Sequence, residues 1–274
     1  MEIAGFILAA LIGVSLGLIG SGGSILTVPI LVYLMGVNPL LATSYSLFIV
    51  GSTSMVGAFN NFRKGFVSIK TALLFGLSSI TTIFITRKTI MPVVPDVLFS
   101  TVNFRITHSM ATMVLFAVLM LASSFAMIRS RDRESDDNAD SAPNNNIVKL
   151  LLYGILVGLA TGFLGAGGGF LVIPALVLML KMPMKQAVGT SLLIVALNSL
   201  IGFTGDLGHF SIHWGFLLSI TLIAIAGIFA GGFLAKKIEG DKLKKSFGWF
   251  VLLMGIYIIV KEIFFSQGGS IKSN

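Results

Sequence analysis

The sequence predicts an all-α membrane protein, a polytopic helical bundle of two inverted repeats in which each repeat opens with a glycine-interrupted segment. Of the 274 residues, 55% are hydrophobic and only 11% are charged, whereas soluble domains carry roughly a quarter charged residues. A glycine-rich element occurs twice in the chain. The basic residues sort to one side of the membrane only if both copies of that element interrupt a helix. The composition predicts the membrane class, the repeated element predicts two homologous halves, and the distribution of basic residues predicts that these halves are inverted.

Eight stretches of the chain contain no charged residue and supply the predicted membrane segments. Most approach the ~20 residues that cross a bilayer core as a helix. Because lipid provides no hydrogen-bond partner for open backbone, we expect these segments to be helical. They are residues 3–35, 40–59, 71–86, 109–128, 150–180, 187–205, 214–235 and 246–260.

The duplicated element lies at residues 13–29 (GVSLGLIGSGGSILTVP) and returns at residues 158–174 (GLATGFLGAGGGFLVIP). The copies are 145 residues apart and share seven of seventeen residues, five of them glycine. A second shared element follows, with ATS at residues 42–44 and GTS at residues 189–191. An internal duplication of this kind predicts two homologous halves.

A polar stretch separates the two halves. Residues 129–146 (RSRDRESDDNADSAPNNN) contain no hydrophobic residue larger than alanine, a composition typical of a solvated linker. We therefore predict a first membrane repeat at residues 1–128, a linker at residues 129–146 and a second membrane repeat at residues 147–274.

The lysines and arginines test whether the repeats are parallel or inverted. If residues 3–35 and 150–180 each cross the membrane once, the 19 basic residues divide 10 to 9 between the two sides. If each run breaks at its glycines, 14 lie on one side and five, including Arg87 and Lys88, on the other. Because cytoplasmic loops carry the excess of positive charge, the broken interpretation is favoured. Each repeat then has five pieces, and because this number is odd, the two repeats are inverted. With the basic side in the cytoplasm, the linker is cytoplasmic and both termini are periplasmic.

The glycine breaks predict the chemistry of the ligand. Residues 24–35 would span about 18 Å as a helix, which is too short for ~30 Å of hydrocarbon. We therefore predict half-helices or re-entrant segments that begin at Ser24 and Gly169. Helix N-termini attract anions, and glycine-interrupted segments at matching positions of two repeats point to a transporter's substrate site. The predicted ligand is a small anion.

The candidate substrate-binding residues are the break residues and the hydroxyl and amide side chains that follow them. All acidic residues are assigned to termini, loops or the linker, which disfavours a cation or proton path. Cysteine is absent, and no catalytic residue, metal ligand or cofactor is predicted. The candidates are Ser21, Gly22, Gly23, Ser24, Thr43, Ser44, Gly167, Gly168, Gly169, Thr190, Ser191 and Asn198.

Structural interpretations of the same features stay open. Gly13 and Gly17 have the small-xxx-small spacing that lets helices approach closely. Serine and threonine hydroxyls can bond the carbonyl of the preceding turn instead of a ligand, and Asn198 can bind either a neighbouring helix or a ligand. Asp206 and His209 fall in the short DLGH loop, where we expect an interfacial position.

Three motifs carry a resemblance to a known family. They are the duplicated G-x-x-x-G-x-x-G-x-G-G…P element, AVGTS at residues 187–191, and AGGFLAKKIEGDKLKKSFGWFVLLMGIYII at residues 230–259. At these places the chain resembles the TauE/SafE family of sulfite exporter-like permeases. The first half departs from the second, since Ser44 lies five positions after Pro39 but Ser191 lies eight positions after Pro183. The resemblance implies a bacterial inner-membrane transporter of sulfite, sulfonates or related small organic anions, often an exporter.

The leading functional prediction is a secondary transporter that exports small sulfur-containing anions by alternating movement of its two halves about a midplane site. A passive anion channel is the alternative, because both need only a positive, polar constriction. An intramembrane hydrolase with Ser21 as nucleophile is a third interpretation, but it needs a base, and Ala166 stands at the equivalent place in the second copy.

The expected partners are the small anion and the lipid bilayer, with a homo-oligomer left open. Cytoplasmic loop charge accounts for the net charge of +8, so a nucleic-acid partner is not expected.

Overall fold

The computed structural model describes residues 2–95, 97–101, 104–129, 147–164, 168–180, 182–209, 211–235 and 240–262. Most of the predicted linker, residues 130–146, lies outside them. The helices are α1 (Glu2–Ile19), α2 (Thr27–Pro29), α3 (Pro39–Arg63), α4 (Ile69–Ile85), α5 (His108–Arg129), α6 (Ile147–Leu164), α7 (Gly169–Pro174), α8 (Met184–Asp206), α9 (Trp214–Ala235) and α10 (Gly240–Val260). A 3₁₀ helix, Gly20–Leu26, which we call the first break, joins α1 to α2, and π-helical turns extend α2 (Ile30–Leu34), α4 (Thr86–Ile90) and α7 (Ala175–Met179).

The predicted all-α membrane class is confirmed. Six helical stretches of the described chain are long and apolar enough to cross a membrane: Gly5–Leu34, Pro39–Arg63, Ile69–Val93, His108–Phe125, Lys185–Asp206 and Trp214–Leu234. Large apolar side chains such as Leu73, Leu222 and Leu253 are exposed on the outside of the bundle, as expected of surface that faces lipid.

One short β-hairpin departs from the predicted helices. Strand β1 (Val97–Thr101) pairs antiparallel with β2 (Phe104–Thr107) between α4 and α5. Pro92 and Pro95 precede the hairpin, and proline lacks the N–H that would continue the helix. The helix therefore ends here, and the chain turns through a hairpin before α5.

The first break reverses the chain, as the sequence predicts. The Ser15 hydroxyl lies 3.2 Å from the carbonyl oxygen of Gly23 and can donate to it, and a side chain on Gly23 would overlap the backbone of Ser15. Farther along, the Met35 methyl group lies 3.2 Å from where Gly5 would carry a Cβ. The segment after the break therefore runs back along α1. Gly20, at φ +69°, adopts the left-handed conformation that glycine tolerates best.

The predicted start of the half-helix is wrong in the first half and correct in the second. The prediction that the first half-helix begins at Ser24 is wrong, because helical backbone resumes directly at Gly20 as a 3₁₀ helix. In the second half, Gly168 is left-handed at φ +69° and α7 begins at Gly169, as predicted.

The first helix of each half packs against the third long helix of the other half. A side chain on Gly13 of α1 would collide with the carbonyl of Ala224 in α9. A side chain on Gly158 of α6 would collide with the carbonyl of Ser79 in α4. Both Gly13 and Gly158, and Ser79 and Ala224, are 145 residues apart, so the two contacts are counterparts. The small-xxx-small glycines therefore serve close helix packing.

The central helices α3 and α8 show the same reciprocal contacts between the two halves. Gly57 of α3 faces Ile228 and Leu192, and Gly202 of α8 faces the residues 145 positions earlier, Ile83 and Leu47. Reciprocal contacts at the offset found in the duplicated element thus extend through the bundle.

The directions of the packed helices follow from the same glycines. Gly51 faces Leu200 whereas Gly57 faces Leu192, so α3 and α8 run antiparallel. In contrast, Gly13 meets Ala224 and Gly17 meets Ile228, so α1 and α9 run parallel. Helices α3 and α8, which lie 145 residues apart in the chain, are therefore antiparallel where they touch.

Adjacent glycines in α9 offer a matched test of this packing. A side chain on Gly231 would overlap the Val14 carbonyl, whereas nothing lies within 4 Å of the Cβ position of Gly232. We expect Gly231→Ala to destabilise the protein by about 1–3 kcal/mol through overpacking. Gly232→Ala should leave stability unchanged or raise it by up to about 1 kcal/mol, since alanine favours helix. Thermal unfolding of the detergent-purified variants measures both, and equal destabilisation would contradict the packing.

Candidate functional site

The first break meets the start of α7 at Ser21. Its buried hydroxyl lies 2.7 Å from the Ser191 hydroxyl of α8 and 3.3 Å from the carbonyl oxygen of Gly169, the first residue of α7. Gly169 packs its backbone on Ser21, because a Cβ there would overlap the Ser21 carbonyl. Three predicted site residues from both halves are thus brought together, and the backbones of Ser21 and Gly169 are in direct contact.

The other break residues lie in mostly structural surroundings. The Cβ position of Gly22 is 3.1 Å from Ile19 and 3.6 Å from Ile173, and Gly23 packs on the backbone of α1. Ser24 is fully buried, and its hydroxyl has no hydrogen-bond partner among the described residues. Gly168 packs against the Thr161 hydroxyl, and Gly167 lies outside the described residues.

Thr190 has a structural partner. Its hydroxyl accepts a hydrogen bond of 2.9 Å from the Ser68 backbone N–H, which joins α8 to the loop before α4. The reciprocal bond, also 2.9 Å, runs from the His213 backbone N–H to the Tyr45 hydroxyl. Because both pairs are offset by 145 residues, Thr190 is the counterpart of Tyr45. Pairing the ATS of residues 42–44 with GTS is therefore wrong by two residues.

A cluster of polar side chains lies where α3 and α8 cross. Thr53 and Ser54 of α3 and their counterparts Asn198 and Ser199 of α8 are fully buried. Since the helices are antiparallel, with Gly51 facing Leu200, the four lie at one level near the middle of both helices. Ser79 of α4 donates to the Asn198 amide oxygen at 2.9 Å, so Asn198 binds a neighbouring helix and its amide nitrogen stays unpaired among the described residues.

Thr43 and Ser44 lie in a separate cluster around a buried ion pair. Arg87 Nη1 is 3.0 Å from Asp206 Oδ2 and 3.1 Å from the Thr43 hydroxyl. The Arg87 and Asp206 side chains are 0% and 3% exposed. The Ser44 hydroxyl lies near the Asp206 carboxylate without meeting hydrogen-bond geometry.

The ion pair corrects two sequence predictions. Asp206 is the last residue of α8 and is buried. The prediction that it lies in an interfacial loop is therefore wrong, and so is the prediction that every acidic residue lies outside the membrane segments. Arg87 is a buried residue rather than a loop charge. Both residues directly follow charge-free runs, 71–86 and 187–205. This position makes them candidates for burial, but a loop residue has the same sequence pattern.

The described polar atoms that are buried without a partner are dominated by hydrogen-bond donors. Hydroxyls donate as well as accept, and guanidinium and amide N–H groups only donate. A surface of this kind suits an anion, which brings acceptors only. The atoms are the hydroxyls of Ser24, Thr27, Ser44, Ser46, Thr53, Ser54, Thr161 and Ser199, the amide nitrogen of Asn198, and Nε and Nη2 of Arg87.

The comparison with protein families identifies the chain's relatives. The sequence profile described as "Sulfite exporter TauE/SafE" matches residues 5–258. The chain belongs to this family. The TauE/SafE match includes both glycine-rich elements and nearly all of α10. No solved structure matches the chain significantly.

Curated relatives of this TauE/SafE protein carry the names of transporters. A Xylella fastidiosa (strain 9a5c) protein named "Probable membrane transporter protein" is 31% identical over 252 residues, which are 91% of each chain. The "Probable membrane transporter protein YunE" of Bacillus subtilis is 23% identical over 276 residues, 94% of this chain and 99% of its own. A Haemophilus influenzae protein with the same name as the first is 25% identical over 279 residues, 93% of this chain and 97% of its own. These names point to a membrane transporter rather than an enzyme.

The surroundings of Ser21 predict that it is not a nucleophile. Its two hydrogen-bond partners are a serine hydroxyl and a peptide carbonyl, neither of which can act as the general base that activates a serine. We expect a fluorophosphonate probe to leave Ser21 unmodified, as measured by intact mass, with a known serine hydrolase as positive control. An adduct that disappears in Ser21→Ala would restore the hydrolase interpretation.

Proposed function

We propose that this protein is a secondary transporter that exports small sulfur-containing anions, sulfite, sulfonates or related organic anions, across the bacterial inner membrane. The observation that carries the proposal is the set of buried, unpartnered donors on α3, α8 and the breaks, where the two halves meet. The family description "Sulfite exporter" supports the substrate class and the direction. The relatives' names support transport itself.

We further propose that the halves, residues 1–128 and 147–274, are inverted repeats. The reciprocal contacts at an offset of 145 residues support their equivalence. The antiparallel contact of α3 with α8 supports the inversion, because equivalent helices that cross a membrane in opposite directions belong to inverted halves. The axis relating the halves then passes near Thr53 and Asn198, which become the centre of the substrate path.

The basic residues support an orientation for this arrangement. Arg63 and Lys64 at the end of α3 lie at the same end of the bundle as Lys185 at the start of α8, because these helices are antiparallel. This end is assigned to the cytoplasm together with the linker, and both termini to the periplasm. Arg87, an exception when counted as a loop charge, is buried and paired, which leaves the bias toward the cytoplasm stronger.

The contact between the first break and α7 supports alternating access. Ser21 and Gly169 touch through their backbones, so the path is closed at this level, and movement of one half against the other would open it. A passive channel built from the same donors is the competing proposal, since it needs the same polar constriction. The two differ in kinetics.

Flux in proteoliposomes separates the carrier from the channel. We expect radiolabelled sulfite to enter with saturation, at a KM between about 1 µM and 1 mM, and to enter faster when unlabelled sulfite is loaded inside. Protein-free liposomes are the control. Flux that rises linearly with concentration and ignores internal sulfite would favour the channel, and no flux of sulfite or any sulfonate would refute the substrate class.

Cysteine labelling tests the inversion directly, because the chain contains no cysteine of its own. Lys64 and His209 are exposed and 145 residues apart, at the loops after α3 and α8. We expect a membrane-impermeant maleimide to label Lys64→Cys from the cytoplasmic face only and His209→Cys from the periplasmic face only. Labelling of both from one face would mean parallel repeats.

A further inference from the structure

We propose that Arg87 is an anion-binding residue at one end of the transport path and that Asp206 is its exchangeable internal counter-ion, which the transported anion displaces. The inference rests on the proposed function and names the group that meets the substrate on the side where α8 ends. Three features of the ion pair carry it: an unused edge of the guanidinium, the missing counterpart in the other half, and the position of Asp206 next to exposed chain.

The guanidinium of Arg87 is only partly used. Nη1 makes both contacts, to Asp206 and to Thr43, while Nε and Nη2 are buried without a partner in the described structure. Nε and Nη2 form the side of the guanidinium that binds two oxygens of one oxyanion at once. The pair with Asp206 therefore leaves the bidentate edge of Arg87 available, with the unpaired Ser44 hydroxyl in the same cluster.

The other half makes the equivalent contacts without charge. Ser44 lies beside Asp206, and its counterpart Gly189 lies beside Asn61, with 3.2 Å between the Cβ position of Gly189 and the Asn61 Cβ. The residue 145 positions after Arg87 is Gly232. At this opposite end, α3 thus packs against α8 without an ion pair. Because charges buried in a membrane protein are costly and usually serve function, the pair is best explained by the ligand.

Asp206 is placed so that it can leave Arg87. It ends α8, and the next three residues, 207–209, are exposed. Gly208, at φ +92°, gives this turn a conformation that only glycine adopts easily. The carboxylate can therefore move toward water when an anion arrives.

The exchange keeps the buried site neutral in both states. Arg87 is paired with Asp206 when the site is empty and with the substrate anion when it is loaded. When Asp206 returns to Arg87, it competes with the bound anion and displaces it. Thr43, ten residues before Thr53 on α3, lies about 15 Å from the central cluster along the helix axis, so Arg87 serves one end of the path.

Four variants test the exchange, with sulfite as the probe and both equilibrium binding and flux as readouts. Arg87→Gln should weaken sulfite binding by about tenfold or more, since a charge-assisted bidentate contact is lost. Asp206→Asn should tighten sulfite binding by about tenfold, because the competing carboxylate is gone. The double variant, Arg87→Gln with Asp206→Asn, should fold, because no charge is left unpaired, yet bind as weakly as Arg87→Gln. Lys88→Gln, the neighbouring exposed lysine, is the control and should bind like the wild type.

The outcomes separate a ligand role from a structural one. If the pair only held the fold together, the double variant would restore wild-type binding and flux, and Asp206→Asn would not bind more tightly; either result overturns the inference. If the wild type transports sulfite and a folded Arg87→Gln keeps the same Kd and KM, this inference is wrong and the proposed function stands. If the wild type moves no sulfur-containing anion, the proposed function fails and the inference fails with it.

Discussion

Helices α1 and α9 approach so closely at Gly13 and Gly17 that the backbone of one lies where a side chain of the other would be. Helices α6 and α4 do the same at Gly158. Each of these pairs joins a helix of one half to a helix of the other, so neither half can bury its own first helix alone. The bundle depends on this exchange, because in lipid such packing replaces the hydrophobic driving force that holds soluble helices together.

The exchange also determines where polar groups can be buried. With α1 and α6 held on the opposite halves, the first break meets the start of α7, and Ser21 contacts Gly169 and Ser191 of α8 there. Hydroxyl side chains can be buried at this interface at modest cost, since many bond the carbonyl of the preceding turn, as Ser191 does to Val188. Other donors at this interface, among them the Asn198 amide nitrogen and the Ser199 hydroxyl, stay unpaired among the described residues.

The ion pair breaks the equivalence of the two halves. Arg87 and Asp206 have Gly232 and Asn61 as their counterparts, so one end of the α3 and α8 pair carries a buried charge pair, whereas the equivalent positions at the other end are uncharged. A transporter built from two equivalent halves requires some such difference if its two openings are to have different affinities for one substrate.

The sequence by itself determined the membrane class, the duplication, the position of the first break and the start of α7. These depend on composition and on local conformation: apolar runs of membrane length, and adjacent glycines that leave the helix where Gly20 and Gly168 are left-handed. The same local rules mark Gly13 and Gly17 as packing positions, although their partners do not follow from the sequence.

Only the tertiary structure decided which distant residues meet. Arg87 and Asp206 are 119 residues apart, and each lies at the end of an apolar run, where a loop and a buried site have the same sequence pattern. The crossing of α4 with α8 brings them together, and the reciprocal bonds of Thr190 and Tyr45 reveal the true register of the halves. Local pattern cannot supply such pairings, because they depend on the angles and distances at which whole helices pack.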